Sequence, residues 1–342
     1  MSRIVEIATS VPPFVLDQGV AEATARRVFA GPDVPFERLA PTYGHSGVAR
    51  RHVAVPPGWF AGGHDWHDRH VMFDASVVDL AADAAERCLA RAEIAPDQVD
   101  AIVTVCSTGI TTPTIDARLL DVLPFRRDVE RLPIFGLGCA GGVLGLARAA
   151  AMAGPGRRVL LVAVELCSLT FRRDDRRTTN VIATALFGDG AAAVLIDGSD
   201  GPGRIVATGE HTWPATLGVM GWTVEADGLG VVFSREIPDL VRERLRPAAD
   251  QFLARNAIPL DGIDHLVCHP GGPKVLDAIA CAFDRPPEHF AVERSILREY
   301  GNMSSPTIWF VADGKRGAGM SGRALLTALG PGFTAGFAVV DW

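Results

Sequence analysis

Apolar residues occur along this chain in two alternating patterns. Short continuous apolar runs, as in 101–105 and 159–164, are typical of strands that are buried on both faces. Longer segments with apolar residues at helical spacing, as in 77–92 and 143–153, lie between them and predict helices. Strands that alternate with helices indicate a mainly parallel sheet covered on both sides. The predicted fold class is therefore α/β.

The same alternation is repeated after the glycine-rich segment 198–203. The two halves have a similar order of elements without an obvious sequence repeat, and we therefore predict two domains, 1–205 and 206–342. The elements predicted in the second half are a helix at 238–254, a strand at 265–268, a helix at 275–282 and strands at 324–329 and 335–340.

Composition narrows the class of protein. With 342 residues and 48% hydrophobic content, the chain can bury a substantial core. Its net charge of −7 argues against nucleic acid as a partner, because phosphate binding needs a basic face. No apolar stretch has the length of a signal peptide or a membrane span. The six cysteines lack paired spacing, which predicts reduced thiols in a cytoplasmic protein.

Cys139 is the first candidate for chemistry. It lies in a glycine-rich segment, 136–142, between a strand-like run and an alanine-rich helix-like run. A thiol at a helix N-terminus meets the positive end of the backbone dipole, which favours the thiolate. The sequence therefore predicts a nucleophilic thiol at Cys139 with a lowered pKa.

His269 and Asn302 lie in two later loops that are bounded by glycines. A catalytic cysteine meets its histidine in space rather than in sequence. His269 can form an ion pair with a Cys139 thiolate, and Asn302 can donate amide hydrogens to an oxygen that becomes negative. The alternative is a buried cysteine, a core histidine and a turn asparagine without a common role. The three together favour an acyl-transfer site.

The segments around these residues, including His-Pro-Gly-Gly-Pro at His269 and Gly-Asn-Met-Ser-Ser at Asn302, resemble the type III polyketide synthases. These are the chalcone-synthase-like members of the thiolase-fold condensing enzymes, and the resemblance runs over most of the chain. Phe187 matches a phenylalanine that guards the family's active site, and Gly332 matches the family's C-terminal Gly-Pro-Gly loop. A fatty-acid-type condensing enzyme would more often carry His-Gln-Ala-Asn around its histidine.

The resemblance implies a thiolase-like fold of two similar αβαβα halves in five layers, and a homodimer. It also implies an acyltransferase whose substrates are an acyl-CoA starter and malonyl-CoA, with no separate cofactor and no metal. The acyl group would move to Cys139, and His269 and Asn302 would stabilise the enolate formed when malonyl-CoA loses carbon dioxide. That enolate would extend the chain by two carbons in each iterative cycle, before cyclisation.

Further residues match family positions. Thr108, Glu165 and Ser304 match a hydroxyl-carboxylate relay near the thioester, although polar packing beside a cavity explains them equally well. Thr112 and Cys167 match the starter cavity, where Thr112 replaces a methionine that is often contributed across the dimer. Because these side chains are small, we expect a medium or long fatty acyl starter and alkylpyrone or alkylresorcinol products.

Coenzyme A carries phosphates, so a local basic cluster is expected despite the acidic total. Arg38, Arg50 and Lys274 are the candidates, with solvated surface charge as the alternative. The histidines of segment 64–70 recur every third residue, but no cysteine pair or catalytic signature accompanies them, and we interpret the segment as surface or lid.

Two other functions remain open at this point. One is a ketoacyl synthase III-like enzyme that performs a single condensation on an acyl carrier protein. The other is a non-catalytic scaffold that keeps the fold, which the complete set of cysteine, histidine and asparagine disfavours.

Overall fold

A nine-stranded mixed sheet runs through the molecule. The computed structural model describes residues 2–29 and 36–342. The strands are β1 Arg3–Ser10, β2 Phe14–Asp17, β3 Arg50–Val53, β4 Ala101–Val105, β5 Glu130–Ile134, β6 Val159–Leu166, β7 Asp189–Asp197, β8 Arg204–Thr212, β9 Met220–Glu225, β10 Gly228–Phe233, β11 His265–Cys268, β12 Arg323–Gly330 and β13 Thr334–Asp341. The sheet order is β11-β12-β13-β8-β1-β7-β6-β4-β5, and β2-β3 and β9-β10 form separate hairpins.

Helices lie on both faces of this sheet and between its two halves. They are α1 Gln18–Phe29, α2 Phe36–Leu39, α3 Pro41–His45, α4 Trp66–Arg91, α5 Ile115–Val122, α6 Gly141–Met152, α7 Thr178–Leu186, α8 Ile237–Arg255, α9 Pro273–Ala282, α10 Ala291–Tyr300 and α11 Thr307–Gly317. Helix α4 begins eleven residues before the predicted helix, because Asp65 caps its N-terminus and exchanges hydrogen bonds with Asp68. Residues 66–70 of the histidine-rich segment therefore form the start of α4, and His64 and Asp65 lie just before it.

The two halves of the sheet repeat one pattern of strand directions. In the first half, β1-β7 and β7-β6 are antiparallel, whereas β6-β4 is parallel. In the second half, β8-β13 and β13-β12 are antiparallel, whereas β12-β11 is parallel. One residue pair, Arg3 with Arg204, joins β1 to β8. The prediction of two similar halves is confirmed, and the division into domains at residue 205 stays a prediction.

The expectation of a mainly parallel sheet is wrong, because most strand pairs are antiparallel. A continuous apolar strand indicates burial on both faces but not the direction of its neighbours. In this sheet the antiparallel strands are also covered on both faces. On β6, Leu160 and Val162 face one apolar cluster with α4, whereas Leu161 and Ala163 face the central cluster. On β12, Leu325 packs towards α8 and α9.

These contacts define five layers: α4 with α5, the first half-sheet, the central helices α6 and α11, the second half-sheet, and α8 with α9. This is the thiolase-like arrangement that the resemblance implies. The central helices fix the place of the candidate site, because Cys139 directly precedes α6 and Asn302 lies shortly before α11. None of the helices in the described ranges combines the length and the apolar content needed to cross a membrane.

Candidate active site

Cys139, His269 and Asn302 line one cavity of about 840 Å³. The cavity lies where β11 and β12 end and where the central helices begin. Cys139 is partly exposed, whereas His269 and Asn302 are buried. Three residues that are far apart in the sequence therefore meet at one place, as predicted.

The loop that carries Cys139 is held by close packing and by a serine. Gly138 has φ +50°, and an added Cβ would lie 2.7 Å from Cδ of Pro331, so a side chain would be strained and would collide there. Ser107 Oγ accepts hydrogen bonds from the backbone N–H groups of Gly136 (3.2 Å) and Gly138 (3.1 Å). The Gly-Pro-Gly loop therefore supports the turn before Cys139.

Asn302 is fixed at both its backbone and its side chain. Its backbone N–H donates to Leu186 O (2.8 Å) and its carbonyl accepts from Gly188 N (3.1 Å). Its Oδ1 accepts from Ser304 N (2.8 Å) and from the Cys139 thiol (3.9 Å). The amide nitrogen Nδ2 is thereby turned away from Ser304, and it donates to the carbonyl of Gly271 (3.3 Å).

His269 offers an unengaged imidazole. Neither of its ring nitrogens has a hydrogen-bond partner within the described residues. Burial lowers the pKa of His269 to about 3, so the ring is neutral at neutral pH and carries one N–H donor and one acceptor. Leaving a buried polar group without a partner costs free energy. Such a group is typical of a residue that meets its partner only when substrate is bound.

The predicted lowering of the thiol pKa is not found. Burial raises the pKa of Cys139 to about 11, and the nearby Glu165 adds to that shift, whereas Ser304 and Asn302 oppose it through hydrogen bonds. The helix dipole does not decide this pKa, because Cys139 lies within a 3₁₀ turn, 138–140, ahead of α6 and because desolvation outweighs the dipole there. Neutral thiol and neutral imidazole are the favoured pair in this structure.

Glu165 forms a buried polar floor beside the thiol. Its carboxylate accepts hydrogen bonds from Ser107 N (2.9 Å), Thr108 Oγ1 (2.7 Å) and Ser305 Oγ (2.9 Å). Burial nevertheless raises the pKa of Glu165 to about 7. Ser305, rather than the predicted Ser304, contacts this carboxylate.

The backbone conformation of Ser304 explains why Ser305, and not Ser304, contacts Glu165. Ser304 has φ +61°, in the left-handed region, and its hydroxyl is directed to Cys139 instead. No sequence pattern signals this conformation, and a serine pair gives no hint of which member faces Glu165.

Both family models for chalcone and stilbene synthases match the chain, the N-terminal one over residues 61–201 and the C-terminal one over 204–340. A Bacillus subtilis (strain 168) protein named as a candidate chalcone synthase is 35% identical over 100% of this chain and 99% of its own length. The chain belongs to the chalcone and stilbene synthase family. A Streptomyces peucetius relative, 1,3,6,8-tetrahydroxynaphthalene synthase, is 34% identical over 100% of this chain and 93% of its own.

The solved structure of 1,3,6,8-tetrahydroxynaphthalene synthase from Streptomyces coelicolor A3(2), described as a bacterial type III polyketide synthase, matches with a TM-score of 0.93. It is 27% identical, and the match covers 99% of both chains. The protein is a type III polyketide synthase and hence an acyltransferase-type condensing enzyme, as predicted. Nothing in these comparisons favours the single-condensation or scaffold alternatives.

The synthase places other predicted residues at the edge of the cavity or outside it. Phe187 packs against Phe233 (ring centroids 5.7 Å apart) and Trp222 (6.1 Å), and Phe233 is the ring that lines the cavity. Cys167 is buried in the same small apolar cluster as Phe187. The carbonyl of Gly332 accepts a hydrogen bond from Thr216 Oγ1 (2.9 Å), and neither residue lines the cavity. Thr112 is exposed on this chain and does not line the cavity.

The basic residues predicted to bind coenzyme A also lie partly at the cavity and partly outside it. Lys274 lines the mouth of the cavity, and Arg38 is exposed on α2 beside the lining residue Leu39. Arg50 lies outside the cavity, where its guanidinium forms an ion pair with Glu299 (2.7 Å). Arg235 also lines the mouth but was missed from the sequence, although a cation just before a predicted helix was a visible signal.

Proposed function

We propose that Cys139 is the acyl carrier of this type III polyketide synthase and that His269 and Asn302 stabilise the enolate. The observation that carries the proposal is the convergence of the three residues on one cavity in which the imidazole has no partner among the residues described. The substrates are an acyl-CoA starter and malonyl-CoA, with no separate cofactor and no metal.

Loading transfers the acyl group from coenzyme A to the sulfur. The Cys139 thiol gives up its proton, the sulfur attacks the thioester carbonyl, and coenzyme A leaves as its thiol. His269 is the neighbouring base of this cavity, and its neutral state leaves one ring nitrogen free to accept that proton. Since burial disfavours both charged groups, the ion pair belongs to the loading step rather than to the resting enzyme.

Extension uses the same two donors for a different charge. The carboxylate of malonyl-CoA leaves as carbon dioxide, and the electron pair of the broken bond forms an enolate. The N–H of neutral His269 and the Nδ2 hydrogen of Asn302 that is not bonded to Gly271 can donate to the enolate oxygen. The enolate carbon then attacks the acyl-Cys139 thioester, a carbon–carbon bond forms, and the Cys139 thiolate leaves. Apolar rings such as Phe233, backed by Phe187, disfavour the carboxylate and favour neutral carbon dioxide.

The roles proposed for the remaining residues follow their positions. Lys274 and Arg235, with Arg38 nearby, would meet coenzyme A phosphates at the mouth, whereas Arg50 is engaged with Glu299. Thr108 and Glu165, with Ser305, would position water or a hydroxyl near the thioester, with Ser304 at the sulfur. We retain a homodimer, in which Thr112 would face the partner subunit, and a cytoplasmic location as part of this proposal.

For the product, we propose alkylpyrones or alkylresorcinols made from a medium or long fatty acyl starter, supported by the size of the cavity and its largely apolar lining. A tetrahydroxynaphthalene is the second candidate, because the Streptomyces relatives carry that product in their names. Mass spectrometry of products from malonyl-CoA, alone and with a panel of starters, separates the two. Rings that carry the intact starter support the first, and a starter-independent naphthalene contradicts it.

A further inference from the structure

The cavity that contains Cys139 continues beyond the catalytic residues. Its exposed end is basic, with Lys274 and Arg235 at the mouth. Its buried end is formed by the facing sides of α8 and α9 together with β12. The side chains at that end are Leu245, Val275, Ile279, Thr327 and Leu329.

These five residues define a compartment between the second half-sheet and its outer helices. Leu245 and Ile279 are at most 2% exposed, and Leu329 is 6% exposed. Val275 and Ile279 are one turn apart on α9, so they face the same side of that helix. From Ile237, near the mouth, to Leu245 the compartment extends along α8 for about 12 Å, at about 1.5 Å per residue.

The chemistry of the compartment selects its occupant. Thr327 supplies one hydroxyl, which has no hydrogen-bond partner among the described residues; the other four side chains are hydrocarbon, and none of the five is charged. A growing polyketide carries a carbonyl at every second carbon, and each buried carbonyl without a donor is costly. A saturated hydrocarbon tail has no such requirement and gains from leaving water.

We propose that this compartment binds the hydrocarbon tail of the starter acyl group and that Ile279 and Leu245 set the longest starter accepted. The inference rests on the proposed acyl-primed function and deepens it. The reacting carbonyl stays at Cys139, and the tail passes the end of β12 into the layer between α8 and α9. Tail length is then limited by the packed side chains at the closed end.

The test is a chain-length profile on the whole enzyme, with straight-chain acyl-CoAs from butanoyl to hexadecanoyl as probes. Intact-protein mass spectrometry measures loading on Cys139, and product mass measures extension. For Ile279→Phe we expect the longest accepted starter to shorten by about two carbons or more, because a packed interior has no spare volume for both groups. The ratio of long-chain to short-chain loading should fall about tenfold or more.

Leu245→Ala is the complementary variant, because it enlarges the closed end, and we expect the longest accepted starter to lengthen. Cys281→Phe is the matched control on the exposed side of α9, and its profile should equal that of the wild type. Unchanged ratios in both Ile279→Phe and Leu245→Ala overturn the compartment while leaving the acyl-primed function intact. A wild-type enzyme that loads no acyl starter of any length overturns both.

Discussion

The two halves of the molecule use one backbone frame for different purposes. Val105 on β4 and Val267 on β11 both face the central layer. Ser107 comes two positions after Val105, and His269 comes two positions after Val267. Ser107 accepts two backbone hydrogen bonds and so holds the loop that carries Cys139. The imidazole of His269, at the matching position, has no hydrogen-bond partner within the described ranges.

The neighbouring strands repeat the contrast. Val105 pairs with Ala163 on β6 and Val267 pairs with Leu326 on β12, so Glu165 and Ala328 are in matching positions two residues further on. Glu165 accepts hydrogen bonds that build the polar floor, whereas Ala328 leaves open space that belongs to the cavity. The first half thus uses its polar groups to hold the thiol, and the second half leaves its polar group free for substrate.

The largest effect should come from Cys139, the proposed acyl carrier. Cys139→Ala removes the sulfur, so we expect product formation to fall by more than about 10³-fold, as for other covalent nucleophiles. Intact-protein mass spectrometry should find no acyl adduct with any starter. Cys281→Ala, which changes an exposed thiol, is the control and should load normally. A persistent adduct in Cys139→Ala would place the carrier elsewhere.

The matched pair Ser107 and His269 tests the comparison directly. We expect His269→Ala to lower malonyl-CoA decarboxylation by about 10²–10³-fold, since it removes a proposed donor to the enolate, with little loss of thermal stability. Ser107→Ala should instead cost about 1–2 kcal/mol of stability, because it leaves two backbone N–H groups unpaired. Thermal melts and carbon dioxide release measure the two effects. If both variants lost the same amount of stability, or the same amount of decarboxylation activity, the proposed distinction between the two halves would be wrong.

Glu165 gives a pH-dependent prediction. Because burial raises its pKa to about 7, the folded protein keeps a proton that the unfolded chain has released above a pH of about 4.5. Stability contributed by this proton is present at low pH and is lost as the pH rises through about 7. Glu165→Gln should therefore show a smaller fall in melting temperature between a pH of about 5.5 and about 8. Burial also raises the pKa of Asp189, to about 6, and this residue contributes equally to the pH dependence of the wild type and of Glu165→Gln. Identical falls in the melting temperature of the two proteins would contradict the assignment of the raised pKa to Glu165.

The smallest effects should come from the mouth of the cavity. Lys274→Ala and Arg235→Ala should each raise the KM for the acyl-CoA by about two- to fivefold, because exposed charge contacts contribute about 0.2–1 kcal/mol. The increase should shrink at high salt, where such contacts are screened. Arg50→Ala is the matched control, because Arg50 is paired with Glu299 outside the cavity, and its KM should not change. Equal KM increases in all three variants would indicate a general charge effect.

Most of the core elements and the three central site residues could be predicted from the sequence. Strands β4 and β11 lie at their predicted bounds, because continuous apolar runs between loops leave little choice of structure. The direction of the strands was not predictable, because antiparallel strands buried between helices have the same apolar pattern as parallel ones.

At the site, the identity of Cys139, His269 and Asn302 could be predicted, but the state of Cys139 could not. Its pKa depends on desolvation by residues that are distant in sequence, which no local motif reports. The contact of Ser305 with Glu165 depends on the left-handed backbone at Ser304. The pairing of Arg50, on β3, with Glu299, on α10, joins residues that are far apart in the sequence, so no local pattern reports it.

The most direct test of the division between the halves is carbon dioxide release from malonyl-CoA by Cys139→Ala. We expect that this variant, although unable to carry an acyl group, still decarboxylates malonyl-CoA, since His269 and Asn302 are intact. Loss of carbon dioxide release as complete as that in His269→Ala would contradict it, because the thiol would then be needed for both steps.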